Sequence, residues 1–182
     1  AKFSVTLFNT SWITAKMALL RPTLTAVRRP RELWRIRVTE KHQRHTGREA
    51  ALASESNHCF VCGPANPIGL GVKFALDGEI CRGEFTPEAV HMGYRNVTHG
   101  GIVFSLLDDV MANWLWLQGL QCFTARADIR YRSELMIGTP VRLEGWCDKR
   151  KGRLAQMQGR VIRTADDFVV AEAGGAFMLN VS

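Results

Sequence analysis

The sequence predicts an α+β domain in which an antiparallel sheet of about six strands wraps around one long central helix. Two observations predict this fold. The stretch from Gly100 to about Gly119 is apolar on nearly all sides, as expected for a helix that other elements bury. Strand-like segments precede and follow it. Because a flat sheet would leave half of such a helix in water, we expect the sheet to curve around it.

Two strands are predicted before the helix, over residues 69–76 and 79–85. They are joined by a tight turn at Asp77-Gly78, since this dipeptide readily adopts the positive φ angles that such turns need. The next segment, residues 86–98, contains Pro87 and Gly93 and is predicted to be a loop.

After Gly119 the pattern changes to a period of two, typical of a half-buried antiparallel strand. Further strands are predicted over residues 141–148, 154–163 and 168–179, which gives the order β-β-α-β-β-β-β. In the first strand after the helix, one predicted face carries Phe123, Ala125, Ala127, Ile129 and Tyr131, and the other carries Thr124, Arg126, Asp128, Arg130 and Arg132.

The net charge of +7 comes entirely from the N-terminal third. Residues 1–57 contain eleven Lys and Arg against four Glu, whereas residues 58–182 contain thirteen basic and thirteen acidic residues. We therefore expect two parts: a basic extension or linker over 1–57 and a folded domain over 58–182. A transit peptide, a basic arm for nucleic acid or anionic lipid, and a solvated linker after an incorrectly assigned start all remain open for the extension.

Composition excludes two classes of protein. No segment approaches the 18 or more apolar residues of a membrane-spanning helix. Five cysteines, an odd number, do not fit the paired framework of a small secreted domain. We expect free thiols, a reducing compartment and a cytoplasmic location.

Asp108 is the most informative residue of the predicted helix. Consecutive helical positions are about 100° apart, so Asp108 and Asp109 cannot share a face. Asp109 falls on a polar stripe with Ser105 and Asn113, which we expect to face solvent or an interface. Asp108 falls among apolar residues, where burial of a carboxylate raises its pKa toward that of a useful general base. The alternative is a buried Asp whose hydrogen bonds are satisfied by a Tyr or a backbone amide. Its predicted neighbours are Phe104, Met111, Ala112 and Leu115.

The predicted helix starts with His99, Gly100 and Gly101. The first amides of a helix have no partner within it and carry the positive end of its dipole. Such a terminus can polarise a carbonyl oxygen and hold a developing oxyanion. His99 and Asp108 are nine residues apart, about 13.5 Å along a helix. One site therefore needs a long substrate, or a second chain that closes the gap.

The segment from His99 to Asp109, His-Gly-Gly-Ile-Val-Phe-Ser-Leu-Leu-Asp-Asp, resembles the signature of hot-dog fold acyl-CoA thioesterases of the phenylacetate-degradation type. Residues 59–70, Cys-Phe-Val-Cys-Gly-Pro-Ala-Asn-Pro-Ile-Gly-Leu, are similar to the opening of one branch of that family. Residues 124–131, Thr-Ala-Arg-Ala-Asp-Ile-Arg-Tyr, resemble its third strand. The resemblance covers residues 58–180 and implies a hot-dog fold.

The resemblance also implies roles for individual residues. Asp108 becomes the general base or nucleophile, and the Gly101 amide polarises the thioester carbonyl. His99 and Gly100 shape the turn, and Thr124 occupies a position whose hydroxyl orients water in many members. One departure stands out: many relatives have Asn six residues before the His, where this chain has Gly93. Asn96, only three residues before His99, is retained as a candidate substrate-binding residue.

Three further candidates have simpler alternatives. Cys59-x2-Cys62, with His58 beside it and Cys81 or His91 elsewhere, could begin a zinc site, but a packed loop is favoured and no metal is expected. Arg126, together with Arg130 and Arg132, is a candidate contact for the phosphates of coenzyme A, against the alternative of a solvated strand face. Trp114 and Trp116 either line an acyl pocket or pack in the core or between subunits of a dimer.

The sequence therefore predicts an acyl-CoA thioesterase that hydrolyses an acyl-CoA to the free acid and CoA. No cofactor is implied, and we expect a homodimer or a dimer of dimers whose sites lie between subunits. The alternative is a non-catalytic acyl-CoA binding or sensing protein of the same fold. A nucleic-acid or membrane-associated role would rest on the N-terminal extension alone.

Overall fold

The computed structural model describes residues 56–180. Most of the predicted basic segment 1–57 lies outside these residues. Among the described residues, no helix is long and apolar enough to span a membrane. The elements, in chain order, are β1 (Phe74–Asp77), β2 (Ile80–Phe85), a 3-10 helix (Ala89–His91), β3 (Met92–Tyr94), β4 (Val97–Thr98), α1 (Gly100–Trp116), β5 (Cys122–Tyr131), β6 (Val141–Lys151), β7 (Leu154–Arg163) and β8 (Val169–Leu179).

Six strands form one antiparallel sheet in the order β1-β2-β6-β7-β8-β5, and β3 and β4 form a separate hairpin. Helix α1 contacts all six strands of the sheet. Its core side chains Leu106, Leu107, Val110 and Met111 are fully buried. The predicted sheet curved around one central helix, the hot-dog architecture, is therefore confirmed.

The first hairpin begins later than predicted, because residues 69–73 are not part of a strand and β1 starts at Phe74. Its two strands pair through Asp77 and Ile80, so the turn residues are Gly78 and Glu79. Gly78 has a φ of 61°, which few other residues adopt without strain. The prediction of a hairpin was correct, and the turn lies one residue further along.

The predicted loop 86–98 instead contains the 3-10 helix and the β3-β4 hairpin. Tyr94 pairs with Val97, and the two residues between them, Arg95 and Asn96, have φ angles of 44° and 64°. Two positive φ angles in a two-residue loop are typical of a type I′ turn, for which Asn is well suited. Strands this short carry too little periodicity to be predicted from sequence.

A β-bulge divides β5, because the register against β8 shifts between Thr124 and Arg126. A bulge inserts one unpaired residue and reverses which residues face the helix. The single alternation predicted for this strand was therefore wrong before the bulge: Thr124 contacts α1, whereas Phe123 is 68% exposed. After the bulge, Ala127 and Ile129 are partly covered, as predicted.

Candidate functional site

His99 caps the start of α1. Its imidazole Nδ1 accepts a hydrogen bond from the Gly101 amide at 2.9 Å, and its carbonyl accepts from Ile102 and Val103. Side-chain caps of this kind satisfy amides that the helix itself cannot. The predicted turn-forming role of His99 agrees with this geometry. The Gly101 amide, however, already donates to His99 in this conformation.

Gly100 contributes the second backbone group at the helix start. Its carbonyl accepts a hydrogen bond from the Tyr131 hydroxyl at 2.8 Å. A Cβ on Gly100 would lie 3.3 Å from the Tyr131 hydroxyl oxygen. The Gly100 amide has no hydrogen-bond partner among residues 56–180. Tyr131 was predicted only as a strand residue, on the same face as Ala127 and Ile129, and it lies beside the helix start.

Two cavities, of about 450 and 530 Å³, flank the helix. Both are of the size that small ligands occupy. The one at the helix start has a volume of about 530 Å³ and is lined in part by Thr98, Gly100, Gly101 and Tyr131. The Thr98 hydroxyl is buried and has no hydrogen-bond partner among the described residues. The residues that line this cavity at the helix start therefore include one whose buried hydroxyl has no hydrogen-bond partner within residues 56–180.

Asp108 lies at the border of the core, half-buried, next to β5. The Thr124 hydroxyl donates a hydrogen bond to its Oδ1 at 2.8 Å. Burial raises the pKa of Asp108 above its ordinary value, and the hydrogen bond from Thr124 opposes that shift. The structure thus brings two predicted site residues into direct contact, through the bulge that turns Thr124 toward the helix.

The structure does not bring the helix start and Asp108 together within one chain. Gly101 and Asp108 are seven residues apart on α1, about 10 Å along its axis at 1.5 Å per residue. Each protomer therefore has two separate half-sites. One consists of the amide donors at the helix start, and the other consists of the Asp108 carboxylate.

The other predicted substrate-binding residues have partners other than Asp108, Thr124 and the helix start. Asn96 is an exposed turn residue of the β3-β4 hairpin, and its carbonyl accepts from the Ile137 amide. Arg126 is exposed and forms an ion pair with Asp128 at 3.0 Å. At Gly93, where the family resemblance implies Asn, a Cβ would lie 2.9 Å from the Cα of His99. No side chain fits there without a backbone shift.

The polar stripe on α1 faces a different environment from the one predicted. Ser105 donates to the Gly101 carbonyl, but Asp109 and Asn113 lie beneath the loop that contains Cys59 and Cys62. Asn113 is only 9% exposed. Of the two environments expected for this stripe, solvent or an interface, solvent is wrong for Asp109 and Asn113, because the segment before β1 folds back over them.

Asp109 is held by several groups of this loop and helix. The Cys59 thiol donates to its Oδ1 at 3.5 Å, and the Asn113 amide donates to its Oδ2 at 3.0 Å. Burial raises the pKa of Asp109, while hydrogen bonds from Cys62, Cys59 and Asn113 lower it and the Asp108 charge raises it. Burial and the Asp109 charge also raise the pKa of the Cys62 thiol. The spacing of four between Asp109 and Asn113 was visible in the sequence, but their loop partners were not.

The second cavity, about 450 Å³, opens beside this cluster. Trp116 lines it, whereas the Trp114 indole donates to the Glu79 carbonyl of the first hairpin at 2.8 Å. Of the two tryptophans proposed for an acyl pocket, the structure places one beside a cavity. Its other lining residues include Cys59, Cys62, Asp109, Asn113 and Cys122.

Part of this chain is similar to a known protein family. Residues 95–169 match the family model described as Thioesterase superfamily, a segment that includes every predicted site residue. A search among curated proteins gives no match.

Among solved structures, a thioesterase superfamily protein is 29% identical, with a TM-score of 0.62 over 67% of this chain and 63% of that one. This chain thus spans a little under two thirds of its length. Zebrafish thioesterase superfamily member 2 is 16% identical (TM-score 0.59; 69% and 94% covered). A hypothetical thioesterase from Streptococcus pneumoniae with coenzyme A is 15% identical (TM-score 0.57; 60% and 88% covered). This chain therefore has the hot-dog fold of these thioesterases, and its residues 95–169 match the Thioesterase superfamily.

Proposed function

We propose that this protein is an acyl-CoA thioesterase in which Asp108 acts on the thioester. The observation that carries the proposal is the Asp108 carboxylate, half-buried on the central helix and held at 2.8 Å by the Thr124 hydroxyl. A fixed carboxylate at the edge of an apolar core suits a general base or a nucleophile. The fold and the Thioesterase superfamily match support thioester hydrolysis over other carboxylate chemistry.

In the general-base route, water attacks the thioester carbonyl carbon and gives its proton to the Asp108 carboxylate. The Thr124 hydroxyl orients the carboxylate or the water. The tetrahedral oxyanion then collapses, the carbon–sulfur bond breaks, and the CoA thiolate takes the proton, leaving the free acid. In the nucleophilic route, Asp108 forms a mixed anhydride as the thiolate leaves, and water then hydrolyses the anhydride.

The backbone amides at the start of α1 stabilise the oxyanion by donating hydrogen bonds to it. Gly101 is the predicted donor, and it serves only when its hydrogen bond to His99 gives way to the substrate. The neighbouring Gly100 amide is available without that exchange. Because about 10 Å of helix separates Gly101 from Asp108, we propose that each site joins the helix start of one protomer to Asp108 and Thr124 of the other. A homodimer, alone or in a dimer of dimers, is then required for activity.

Two features of the Streptococcus pneumoniae protein support the substrate class and the residue pair. Its structure contains coenzyme A, which supports a CoA thioester as the substrate. It was also solved as single alanine variants of an aspartate and a threonine sixteen residues apart. Asp108 and Thr124 have the same separation. Arg126, exposed on β5, is our candidate for contact with the CoA phosphates, in exchange for its ion pair with Asp128.

The test is a hydrolysis screen over short, medium, long and aromatic acyl-CoAs. We expect turnover of at least one class, and a loss of about 10²–10⁴-fold in kcat for Asp108→Asn, the usual contribution of a general base. Thr124→Ala lowers kcat, and Thr124→Ser, which keeps the hydroxyl, restores most of it. Asp148→Asn, an exposed carboxylate on β6, is the matched control and leaves kcat unchanged.

The second candidate is an acyl-CoA binding protein without turnover. The Gly101 amide that donates to His99, and the tight packing of Gly93 against His99, favour it. Saturable acyl-CoA binding with no hydrolysis across the whole panel would establish this function instead. Hydrolysis that persists in Asp108→Asn would show that the chemistry lies elsewhere.

A further inference from the structure

Cys59, Cys62 and Asp109 bring three possible metal ligands to one point. Their two sulfur atoms and one carboxylate oxygen all lie within 4.8 Å of one another. Cys59 Sγ and Asp109 Oδ1 are 3.5 Å apart. Around a tetrahedral zinc ion, with bonds of about 2.3 Å to sulfur and 2.0 Å to oxygen, these atoms would be about 3.5 Å apart. The Cys59–Asp109 pair therefore already has the separation that shared coordination needs, and the Cys62 sulfur lies within 4.8 Å of both atoms.

The loop that carries the two cysteines has a fixed backbone. The Gly63 amide donates to the Cys59 carbonyl at 3.0 Å, and a Cβ on Gly63 would lie 2.3 Å from the Cys59 nitrogen. Only glycine fits this turn. The Val61 amide donates to the Cys59 sulfur at 3.4 Å, which helps to fix the position of that sulfur in the loop. The two-residue spacing between the cysteines is one that zinc sites use.

The carboxylate of Asp109, the third possible ligand, is held in position by Asn113. Asn113, one helical turn after Asp109, donates to Asp109 Oδ2 at 3.0 Å and approaches Cys62 Sγ at 3.7 Å. One carboxylate oxygen is thereby held, and the other faces the Cys59 thiol. Hydrogen bonds that orient a ligating carboxylate in this way are typical of metal sites.

We propose that Cys59, Cys62 and Asp109 bind one Zn²⁺ ion, whose fourth position opens into the adjacent cavity of about 450 Å³. Two thiolates and a carboxylate suit zinc, and water from the cavity completes a tetrahedron. His58, Cys81 and His91, the additional ligands suggested by the sequence, do not belong to the cluster. The ligand that the sequence did not suggest is Asp109, on the central helix.

The ion would tie the segment before β1 to α1. The Cys59–Asp109 contact joins residues fifty positions apart, and the site lies on a different face of the helix from Asp108. The proposal is independent of thioester hydrolysis, since the cluster contains none of the residues that we assign to the substrate.

The test measures zinc per chain in protein purified with its thiols reduced, incubated with Zn²⁺ and freed of excess metal. We expect one zinc per wild-type chain, and little or none in Cys59→Ser, Cys62→Ser or Asp109→Asn. Cys147→Ser, another half-buried free cysteine, is the matched control and keeps its zinc. Co²⁺ in place of Zn²⁺ should give thiolate-to-metal charge-transfer absorption that the three ligand variants lack.

Circular dichroism shows whether each variant folds, and Asp109→Asn, which changes one atom, is the variant least disturbing to packing. Zinc should also raise the Tm of wild type, by an amount that grows with the logarithm of the free zinc concentration above Kd, but not that of Asp109→Asn. Wild-type protein that retains no zinc overturns the proposal. So does zinc retained equally by the ligand variants, or a Cys59–Cys62 disulfide that persists under reductant.

Discussion

Glu144 is a carboxylate buried in the outer face of the sheet, 2% exposed, and surrounded by arginines. It lies between Arg82 of β2 and Arg160 of β7 in the strand register, and both form ion pairs with it, as does Arg142. Burial alone would raise the pKa of Glu144. Hydrogen bonding to Arg160 and the charges of the three arginines outweigh it, so the pKa falls below its usual value of 4.5.

A carboxylate whose pKa is lower in the folded than in the unfolded state stabilises the fold above its unfolded pKa. That stabilisation is lost as the pH falls below about 4.5 through the lower, folded-state pKa. Glu144→Gln should therefore lower the free energy of unfolding at pH 7 by about 1–3 kcal/mol and flatten its decrease toward acid pH. Urea unfolding between pH 7 and 3 measures both effects. Glu79→Gln, an exposed carboxylate, is the control, and equal pH profiles for wild type and Glu144→Gln would contradict the prediction.

The sequence predicted the surroundings of some single residues but not of others. Helical geometry correctly separated Asp108 from Asp109, because an angle of 100° per residue depends only on the helix. It could not say which face is covered, since the Cys59–Cys62 loop that buries Asp109 is fifty residues away. The contact between Thr124 and Asp108 depended on a bulge, which leaves no mark in an alternating pattern.

At the scale of elements, α1 and β6 approach each other closely at Gly145. A Cβ at this position would lie 2.6 Å from the Val110 carbonyl oxygen and 2.9 Å from its carbon. Both atoms belong to the helix backbone, which cannot move aside as the end of a side chain can. Gly145 therefore sets the distance between the sheet and the helix that carries Asp108.

Gly145→Ala should destabilise the fold by about 1–3 kcal/mol, the usual cost of overpacking a core. For a protein of this size that corresponds to about 2–4 °C in Tm for each kcal/mol. Gly174→Ala is the matched control on β8, because its Cβ would meet only the movable Gln158 side chain, at 3.3 Å. Thermal unfolding followed by circular dichroism compares the two. A Tm for Gly145→Ala as high as that of Gly174→Ala would mean that the helix moves away at little cost.

Long elements were predictable and short ones were not. Strand β7 was predicted at its observed bounds, and β6 and β8 within a few residues, because each spans ten or eleven residues. The β3-β4 hairpin has strands of three and two residues, too short for a period to be measured. Its turn residues, Arg95 and Asn96, carry no glycine to indicate the positive φ angles.

At the scale of the whole molecule, the two edges of the sheet are unequal. Strand β1 has four residues, whereas β5 has ten and, within residues 56–180, pairs on one side only, with β8. A long exposed edge is a template for pairing with another chain. Phe123, near one end of β5, and Tyr131, at the other, are both large exposed side chains. Pairing of two β5 strands would join two sheets and bring the Thr124 side of one protomer toward the other.

Complementation between two inactive variants tests this composite site. Asp108→Asn removes the carboxylate, and Gly101→Pro removes the amide, at a position in the first helical turn where proline is tolerated. Each variant alone should lose most of its activity, and any residual rate of Gly101→Pro is attributed to the Gly100 amide. In a mixed dimer, one site combines the intact Gly101 of the first chain with the intact Asp108 of the second. After the variants are unfolded and refolded together, we expect about a quarter of wild-type activity, since half of the dimers are mixed and each has one working site of two. Activity that stays absent, while both variants fold and mixed dimers form, would place the whole site within a single chain.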